Sequence, residues 1–200
     1  MRRLPLVLVI LLAVGCAWAD AKKAAEKTHR AEIEFQRHNL GGAEKLLHDA
    51  IKEDPDSIDA HNMLASLLSG TRRYSQATQE FSRVLELDAQ QKKLSDSDKR
   101  RIIDGQAVAY AESGDLQRAK SIYLSVLEKD PDYAMYNYNL ACVYAELHDL
   151  NAALPYLKKA WDKRDNMPSD LRFPDPRKDD SFKPYVDDPK FQEAVRNMVQ

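Results

Sequence analysis

The chain has 200 residues, which is enough for one domain with a sizeable core or slightly more. Hydrophobic residues make up 44% and charged residues 31%, with only 6 Gly, and this composition favours ordered helices over disorder or an all-β fold. The net charge of -2 and the lack of any block of five or six basic residues exclude a typical nucleic-acid-binding protein.

The N-terminus has the three parts of an export signal. Residues 1–3 (MRR) are positively charged, residues 4–14 are apolar throughout, and small residues follow. The apolar run is well short of the roughly 20 residues that a membrane-spanning helix needs, so a retained transmembrane anchor is the weaker interpretation. We therefore expect an exported, periplasmic protein whose leader is cleaved.

Two cleavage sites remain open within the stretch LLAVGCAWAD. Gly15-Cys16 resembles the junction at which bacterial lipoproteins are cut and acylated, and it gives a signal peptide of residues 1–15. The small residues of AWA, at 17–19, resemble the site of ordinary secreted proteins and give a signal peptide of residues 1–19. In the first case Cys16 is a lipidation candidate that tethers the protein to a membrane, and in the second it is removed.

The rest of the chain repeats itself with a period of 34 residues. Residues 24–57 align with 58–90, and residues 100–133 align with 134–166. Alanines recur at two positions in all four segments, and a bulky residue follows the second alanine at a fixed spacing. The aligned residues are Ala31, Ala65, Ala107 and Ala141, then Ala43, Ala77, Ala119 and Ala153, then Leu47, Phe81, Tyr123 and Leu157.

Helix packing explains this pattern. An alanine lets two helices approach closely, and the bulky residue of a neighbouring helix fills the gap. Pro55 and Pro131 end their helices because proline cannot continue the backbone hydrogen bonding. The pattern resembles the tetratricopeptide repeat, a helix-turn-helix unit of 34 residues. This resemblance implies an all-α fold, a right-handed α-solenoid of about four units with a C-terminal capping segment.

Residues 91–99 are predicted to be an insert between the second and third repeats. A short loop is expected from about residue 89 to residue 94. Ser95, with Asp98 three residues later, then has the pattern of a helix N-cap with an acidic first turn. The insert is interpreted as a tolerated surface loop, with a contact element on the edge of the solenoid as the alternative.

Residues 167–200 are predicted to cap the last helix pair, because they hold five of the nine prolines and no further repeat. Asp188-Pro189 has the pattern of an N-cap and a first helical residue. A shorter helix around residues 180–186 is expected before it, with Phe182 and Tyr185 facing inward. A separate binding arm remains the alternative. The residues of the last helix that recur at helical spacing are Phe191, Val195 and Met198.

The sequence contains no recognisable catalytic or metal-binding motif. Its five histidines lack metal-site spacing, and it has neither a glycine-rich phosphate loop nor a GxSxG motif. Cys142 lies next to a packing alanine and is interpreted as a buried structural thiol. We therefore expect a protein that is not an enzyme and that needs no cofactor and no metal ion.

Function is then expected to lie in binding a protein or peptide. In tetratricopeptide repeats the first helices line a groove for an extended peptide or a partner helix, and the resemblance implies the same here. Asn62 and Asn139 could hydrogen-bond a peptide backbone, and Phe35 and Tyr138 could hold apolar side chains. The predicted lining residues are Phe35, Gln36, Asn62, Ser66, Asp104, Val108, Glu112, Tyr138, Asn139 and Glu146.

Acidic residues outnumber basic ones among these positions, so the groove is predicted to favour neutral or basic peptides. Solvated acidic residues without a specific ligand are the alternative. The leading function hypothesis is an interaction scaffold of the bacterial envelope, by analogy with exported tetratricopeptide proteins. The second is an accessory or regulatory subunit of an envelope enzyme or transporter, which a pocket closed by the C-terminal segment would favour. No nucleic acid is expected as a partner, and the oligomeric state is left open.

Overall fold

The computed structural model describes residues 6–167, 171–196 and 198, with side chains from Trp18 onward. Within these residues all regular structure is helical, so the predicted all-α class is confirmed. The chain divides into two compact units, Met1–Gly105 and Gln106–Gln200, which are called unit 1 and unit 2 below. The boundaries proposed for the individual repeats stay predictions.

The described residues of unit 1 form four helices and the first part of a fifth, and the first helix packs against the second as the third does against the fourth. Side-chain caps start two of these helices: Asn39 accepts from the backbone N–H of Gly42, and Ser57 accepts from that of Ala60. The helices are α1 Leu6–Gln36, α2 Leu40–Glu53, α3 Ile58–Gly70, α4 Tyr74–Gln91 and α5 Asp96–Glu112.

The core of unit 1 is built on the aligned alanines. Ala31, Ala43, Ala65 and Ala77 are fully buried. Helices also approach closely at Gly105 of α5, where an added Cβ would lie 2.8 Å from the Phe81 ring. Backbones that pack this closely need small residues, which is the reason the repeat pattern can be recognised in the sequence.

The end of α4 differs from the predicted loop. The helix continues through Gln91, and Lys92 then adopts a left-handed conformation with φ of 52°. The cause is Asp88, which is buried and accepts hydrogen bonds from Leu94 N (2.8 Å) and Lys99 Nζ (2.7 Å). The Lys99 hydrogen bond, followed by that of the Leu94 amide, holds the pKa of Asp88 below its usual value.

The predicted helix start at Ser95 is confirmed. Its hydroxyl accepts from Asp98 N at 3.1 Å and donates to the Asp98 carboxylate at 2.6 Å. This reciprocal pair satisfies a backbone donor of the first turn of α5 that no helical carbonyl can reach.

Unit 2 contains the rest of α5, three further helices of the repeats, and the C-terminal segment. Ala141, Ala153 and Leu157 lie in one core cluster with Phe182 and Phe191. The helices are α6 Leu116–Leu127, α7 Ala134–Glu146, α8 Leu150–Asp162 and α9 Pro189–Val195, with 3₁₀ helices at Arg164–Asn166, Pro176–Lys178 and Asp180–Tyr185.

The C-terminal helix follows its sequence pattern. The Asp188 side chain accepts from the backbone N–H groups of Lys190 and Phe191, and Pro189 is the first helical residue. Phe182, Phe191, Val195 and Met198 are all buried, as their spacing predicted. The shorter element before α9 is a 3₁₀ helix that contains Pro184. A proline in its interior lacks the N–H that a longer α-helix would need, which fits this tighter form.

The predicted leader and the first repeat share one helix, because α1 begins at Leu6 and runs without a break to Gln36. Residues 1–5 and the Cys16 side chain lie outside the described part, so both cleavage sites and the lipidation of Cys16 stay predictions. Among the helices that the structure describes, none combines the length and the hydropathy that crossing a membrane requires.

Candidate binding faces of the two units

Two corresponding helix faces contain the central residues of the predicted groove. Positions 76 residues apart match between the units, so Asn62 and Ser66 of α3 correspond to Tyr138 and Cys142 of α7. We call these surfaces the α3 face and the α7 face. Each helix is held by the opposite side of its surface, where Leu64 and Leu68 of α3 and Leu140 of α7 are buried.

The α3 face is accessible. Ser66 is exposed and Asn62 is half-buried, and the Ser66 hydroxyl donates to the Asn62 carbonyl oxygen at 3.0 Å. The Asn62 side-chain amide, by contrast, makes no hydrogen bond to any other residue that the structure describes. An amide both donates and accepts, so this face can pair with a peptide backbone.

Three further predicted residues of unit 1 lie on its other helices. Phe35 and Gln36, at the end of α1, are exposed, and the Phe35 side chain has 43% of its surface accessible. Asp104 of α5 is half-buried. An accessible aromatic ring near the end of a helix is a site where an apolar side chain could pack.

In unit 2, the predicted residues divide into accessible and covered positions. Val108 and Glu112 of α5 and Glu146 of α7 are exposed, and Asn139 is half-buried. Tyr138 differs from the prediction, because it is only 2% exposed and cannot hold a ligand side chain as placed.

The C-terminal segment covers the α7 face. Asp179 accepts from the Tyr138 hydroxyl at 2.8 Å and from the Cys142 thiol at 3.7 Å. Two residues later, the Ser181 hydroxyl donates to the Glu146 carboxylate at 2.7 Å. The segment at residues 179–185 therefore covers the face of unit 2 that corresponds to the accessible α3 face of unit 1.

Aromatic packing explains why Tyr138 is covered. Its ring meets Phe173 edge-on at 5.5 Å and Phe182 at 6.5 Å, both from the C-terminal segment. Such edge-to-face pairs stabilise buried rings beyond the effect of area alone. Asn62, at the corresponding position of unit 1, has no ring to offer, so a covering segment of this kind would gain less there.

Burial also sets the acid–base properties of the α7 face. Burial, together with the negative charge of Asp179, raises the pKa of both the Tyr138 hydroxyl and the Cys142 thiol. Both groups therefore remain protonated and act as donors at neutral pH. This environment fits a structural thiol at Cys142, since a nucleophilic cysteine needs a lowered pKa.

A pocket of unit 2 was not foreseen from the sequence. It has a volume of about 540 Å³ and lies between the end of α8 and residues 171–178, with Trp161 and Phe173 in its wall. The only sequence signal was the cluster of basic residues in LRFPDPRK. Across the described residues, no group of three or more His, Cys, Asp or Glu side chains is arranged to hold a metal ion.

Comparison with models of protein families identifies the same helical repeats. Two family models, each described as tetratricopeptide repeat, match residues 34–95 and 105–168, which is more than half of the chain. This chain is a tetratricopeptide repeat protein. Repeats of this family generally serve as protein–protein interaction scaffolds and are generally non-catalytic.

Solved structures of MamA share the fold of this tetratricopeptide repeat protein. One MamA crystal structure has a TM-score of 0.61 at 16% identity and covers 74% of this chain and 81% of its own. MamA MSR-1 gives 0.59 at 19% identity, with 70% and 75% covered, and MamA AMB-1 gives 0.58 at 17%, with 72% and 75% covered. No curated protein matches the sequence.

Proposed function

We propose that this tetratricopeptide repeat protein is a non-catalytic interaction scaffold of a bacterial envelope. It binds a peptide or a partner helix in the groove that the first helices of its repeats line. The accessible α3 face supports this proposal most directly, because its Asn62 amide has no partner among the described residues. Such an amide can offer a donor and an acceptor to one peptide unit.

The predicted lining residues of unit 1 favour a particular kind of ligand. Phe35 supplies an accessible apolar surface, while Asp104 supplies negative charge. Like charges repel across an interface, so peptides with acidic ends are disfavoured. We therefore expect neutral or basic peptides that carry at least one apolar side chain to bind best.

A peptide array and a pair of variants test groove binding. Peptides selected on the array should bind the Phe35→Ala, Asn62→Ala double variant at least tenfold more weakly, since an anchor and a backbone contact are lost. Gln79→Ala is the matched control, because Gln79 is exposed on the second helix of the same repeat pair and lies outside the predicted lining. A preference for acidic peptides, or equal binding by the double variant and the control, would contradict the proposal.

Export and anchoring are tested separately on the mature protein. Intact-mass measurement is expected to show either an acylated N-terminus at Cys16 or an unmodified N-terminus at Asp20. Detergent-dependent extraction would accompany the first result. A mature protein that keeps residues 1–15 would contradict export, and it would leave the groove experiment unaffected.

The second candidate function is an accessory or regulatory subunit of an envelope enzyme or transporter. The pocket next to the C-terminal segment favours it, because a scaffold that only binds peptides along its repeats has no need of a separate small-molecule site. Co-purification from envelope extracts distinguishes the candidates. A stable complex with an enzyme or transporter supports the second, and capture of several proteins that share one peptide motif supports the first.

A further inference from the structure

The pocket of unit 2 has the size of a small-molecule site. Its volume of about 540 Å³ lies within the range of roughly 300 to 1,000 Å³ that is typical of such sites. The end of α8 forms one wall, and residues 171–178 form the opposite wall. Both walls belong to unit 2.

Aromatic packing fixes the apolar part of the pocket. The Trp161 indole meets the Phe173 ring edge-on, with ring centroids 5.1 Å apart. Phe173 also meets the Tyr138 ring edge-on, and Met198, which lines the pocket too, is 5% exposed. The apolar surface is therefore held in place by the core before any ligand arrives.

A guanidinium group lies directly on this surface. The Arg164 guanidinium carbon is 4.3 Å from the centroid of the Trp161 ring, and its Nη1 donates to the Trp161 carbonyl oxygen at 3.0 Å. These contacts hold the side chain in one position while using one of its five N–H donors. The remaining donors can bind an anion.

The charges of the described lining residues leave an excess of positive charge. Of the two carboxylates in the lining, Asp175 is paired with Arg177 through contacts of 2.9 and 3.0 Å. The hydrogen bond from Arg177 also lowers the pKa of Asp175, so this pair remains fully ionised and neutral overall at physiological pH.

Among the described residues of the lining, three cations then face one further carboxylate. Arg164, Arg172 and Lys178 line the pocket together with Asp165. Neither Arg172 nor Lys178 makes an ion pair with any carboxylate in the described ranges. Both are exposed, so they can be substituted without disturbing the core. An anionic ligand would relieve the repulsion between these groups.

We propose that this pocket binds a small organic anion that carries an apolar group. The apolar group packs on Trp161 and Phe173, and the anionic group is bound by Arg164, Arg172 and Lys178. An inorganic anion would leave the aromatic surface unused, and a neutral apolar molecule would leave the cations unpaired. The proposal depends on the pocket alone, so it does not require the groove to bind peptides.

Fluorescence titration with a matched pair of probes tests the proposal. Anilinonaphthalene sulfonate combines an aromatic body with an anion, and phenylnaphthylamine has a similar body without charge. The sequence has two tryptophans, so Trp18→Phe leaves Trp161 as the one indole donor for energy transfer to a bound probe. Trp18 is 80% exposed, so this background change should be harmless to the fold.

Two charge-matched double variants complete the test. Arg172→Gln with Lys178→Gln should weaken sulfonate binding about tenfold, because two charges near the anion are lost in a partly solvated site. Lys129→Gln with Lys183→Gln removes the same charge from exposed positions of unit 2 outside the lining and should leave binding unchanged. Added salt should reduce binding only where the pocket charges remain.

Two results would overturn the proposal. One is equal affinity of the two double variants for the sulfonate, and the other is binding of the neutral probe as tightly as the anionic one. Loss of peptide binding in the groove experiment would not bear on either result, because Phe35 and Asn62 belong to unit 1 and lie outside this pocket.

Discussion

In the turns that lead into α3 and α7, corresponding backbone carbonyl groups are hydrogen-bonded by different side chains. Pro55 and Pro131 occupy corresponding positions, and so do His61 and Asn137. His61 Nε2 lies 3.0 Å from the Pro55 carbonyl oxygen, and Asn137 Nδ2 donates to that of Pro131 at 2.9 Å. In both units a side chain in the first turn of the helix therefore fixes the connection from the preceding repeat.

The hydrogen-bond arrangements of His61 and Asn137 differ in charge. His61 Nδ1 lies 2.6 Å from Glu80 Oε2, so both ring nitrogens face acceptors and only the doubly protonated ring satisfies both. Asn137 uses its two N–H groups on the Pro131 and Tyr133 carbonyls and involves no charge. One connection thus depends on a proton, and the other does not.

The pKa of His61 reflects this arrangement. Burial alone would lower the pKa of the imidazole, but the hydrogen bond to Glu80, the hydrogen bond to the Pro55 carbonyl and the Glu80 charge together outweigh it. Arg83 opposes the shift slightly. The net result is a pKa above the ordinary value of about 6.5 for histidine. The contribution of the His61–Glu80 pair to the free energy of unfolding is therefore fully present when the pH is below the ordinary histidine pKa. It decreases as the pH rises through the raised pKa of His61.

Removal of the histidine is expected to have the largest effect. His61→Ala should lower the free energy of unfolding by about 3 kcal/mol at pH 6, because a nearly buried ring and two hydrogen bonds to it are lost. Urea unfolding followed by circular dichroism measures this. A loss below about 1 kcal/mol would mean that the turn of unit 1 is held by other contacts, such as Arg83 with Asp56 at 2.7 Å.

Removal of the asparagine should cost less. Asn137→Ala is expected to lower the free energy of unfolding by about 2 kcal/mol, because the Pro131 and Tyr133 carbonyls lose the side-chain donor of a fully buried amide. The loss should be equal at pH 6 and pH 9, since no titrating group is involved. A pH-dependent loss in the same urea experiment would show that the contrast between the two turns is wrong.

Replacement of the histidine of unit 1 by the asparagine that unit 2 uses tests the comparison of the two turns directly. His61→Asn should retain the bond to the Pro55 carbonyl but lose Glu80, so we expect a loss of about 1.5 kcal/mol at pH 6. The remaining stability should vary less with pH than that of the parent protein. If the variant keeps the full pH dependence of the parent, another group is responsible for it.

The smallest effect is expected for the pH dependence of stability in the unsubstituted protein. Its free energy of unfolding is expected to fall by about 1 kcal/mol as the pH rises from about 6 to about 9, because deprotonation of His61 removes one hydrogen bond at the turn. Glu80→Gln is the control, since it should flatten this dependence while it leaves the imidazole in place. Increasing stability over the same range would contradict a raised pKa.

The sequence predicted those features that depend on local spacing or on residue size. The aligned alanines are buried because close helix packing admits no larger residue, and the caps at Ser95 and Asp188 form within one turn of each helix. The repeat itself was recognisable for the same reason. A single sequence is enough to predict these features. The two partners of a helix cap lie a few residues apart, and a close helix contact accepts only one type of residue.

Features that depend on distant partners were not predictable. Tyr138 was expected to face a ligand, but its partner Asp179 follows 41 residues later in a proline-rich segment without repeat periodicity. The pocket at Trp161 depends on the same return of the chain, and the pairing of His61 with Glu80 joins separate helices. The extension of α4 was not predicted for a different reason. The end of this helix is determined by a specific hydrogen bond from the Leu94 amide to the buried Asp88 side chain, and helix propensity does not indicate such a contact.

The close approach of Gly105 to Phe81 has a consequence for sequence variation. An added Cβ at position 105 would lie 2.8 Å from the ring, so a larger residue there requires a smaller or shifted one at position 81. Among homologous sequences these two positions should therefore change together, with glycine at one accompanying a ring at the other. Covariation of this kind would record the packing of α5 on α4 in proteins whose structures have not been determined.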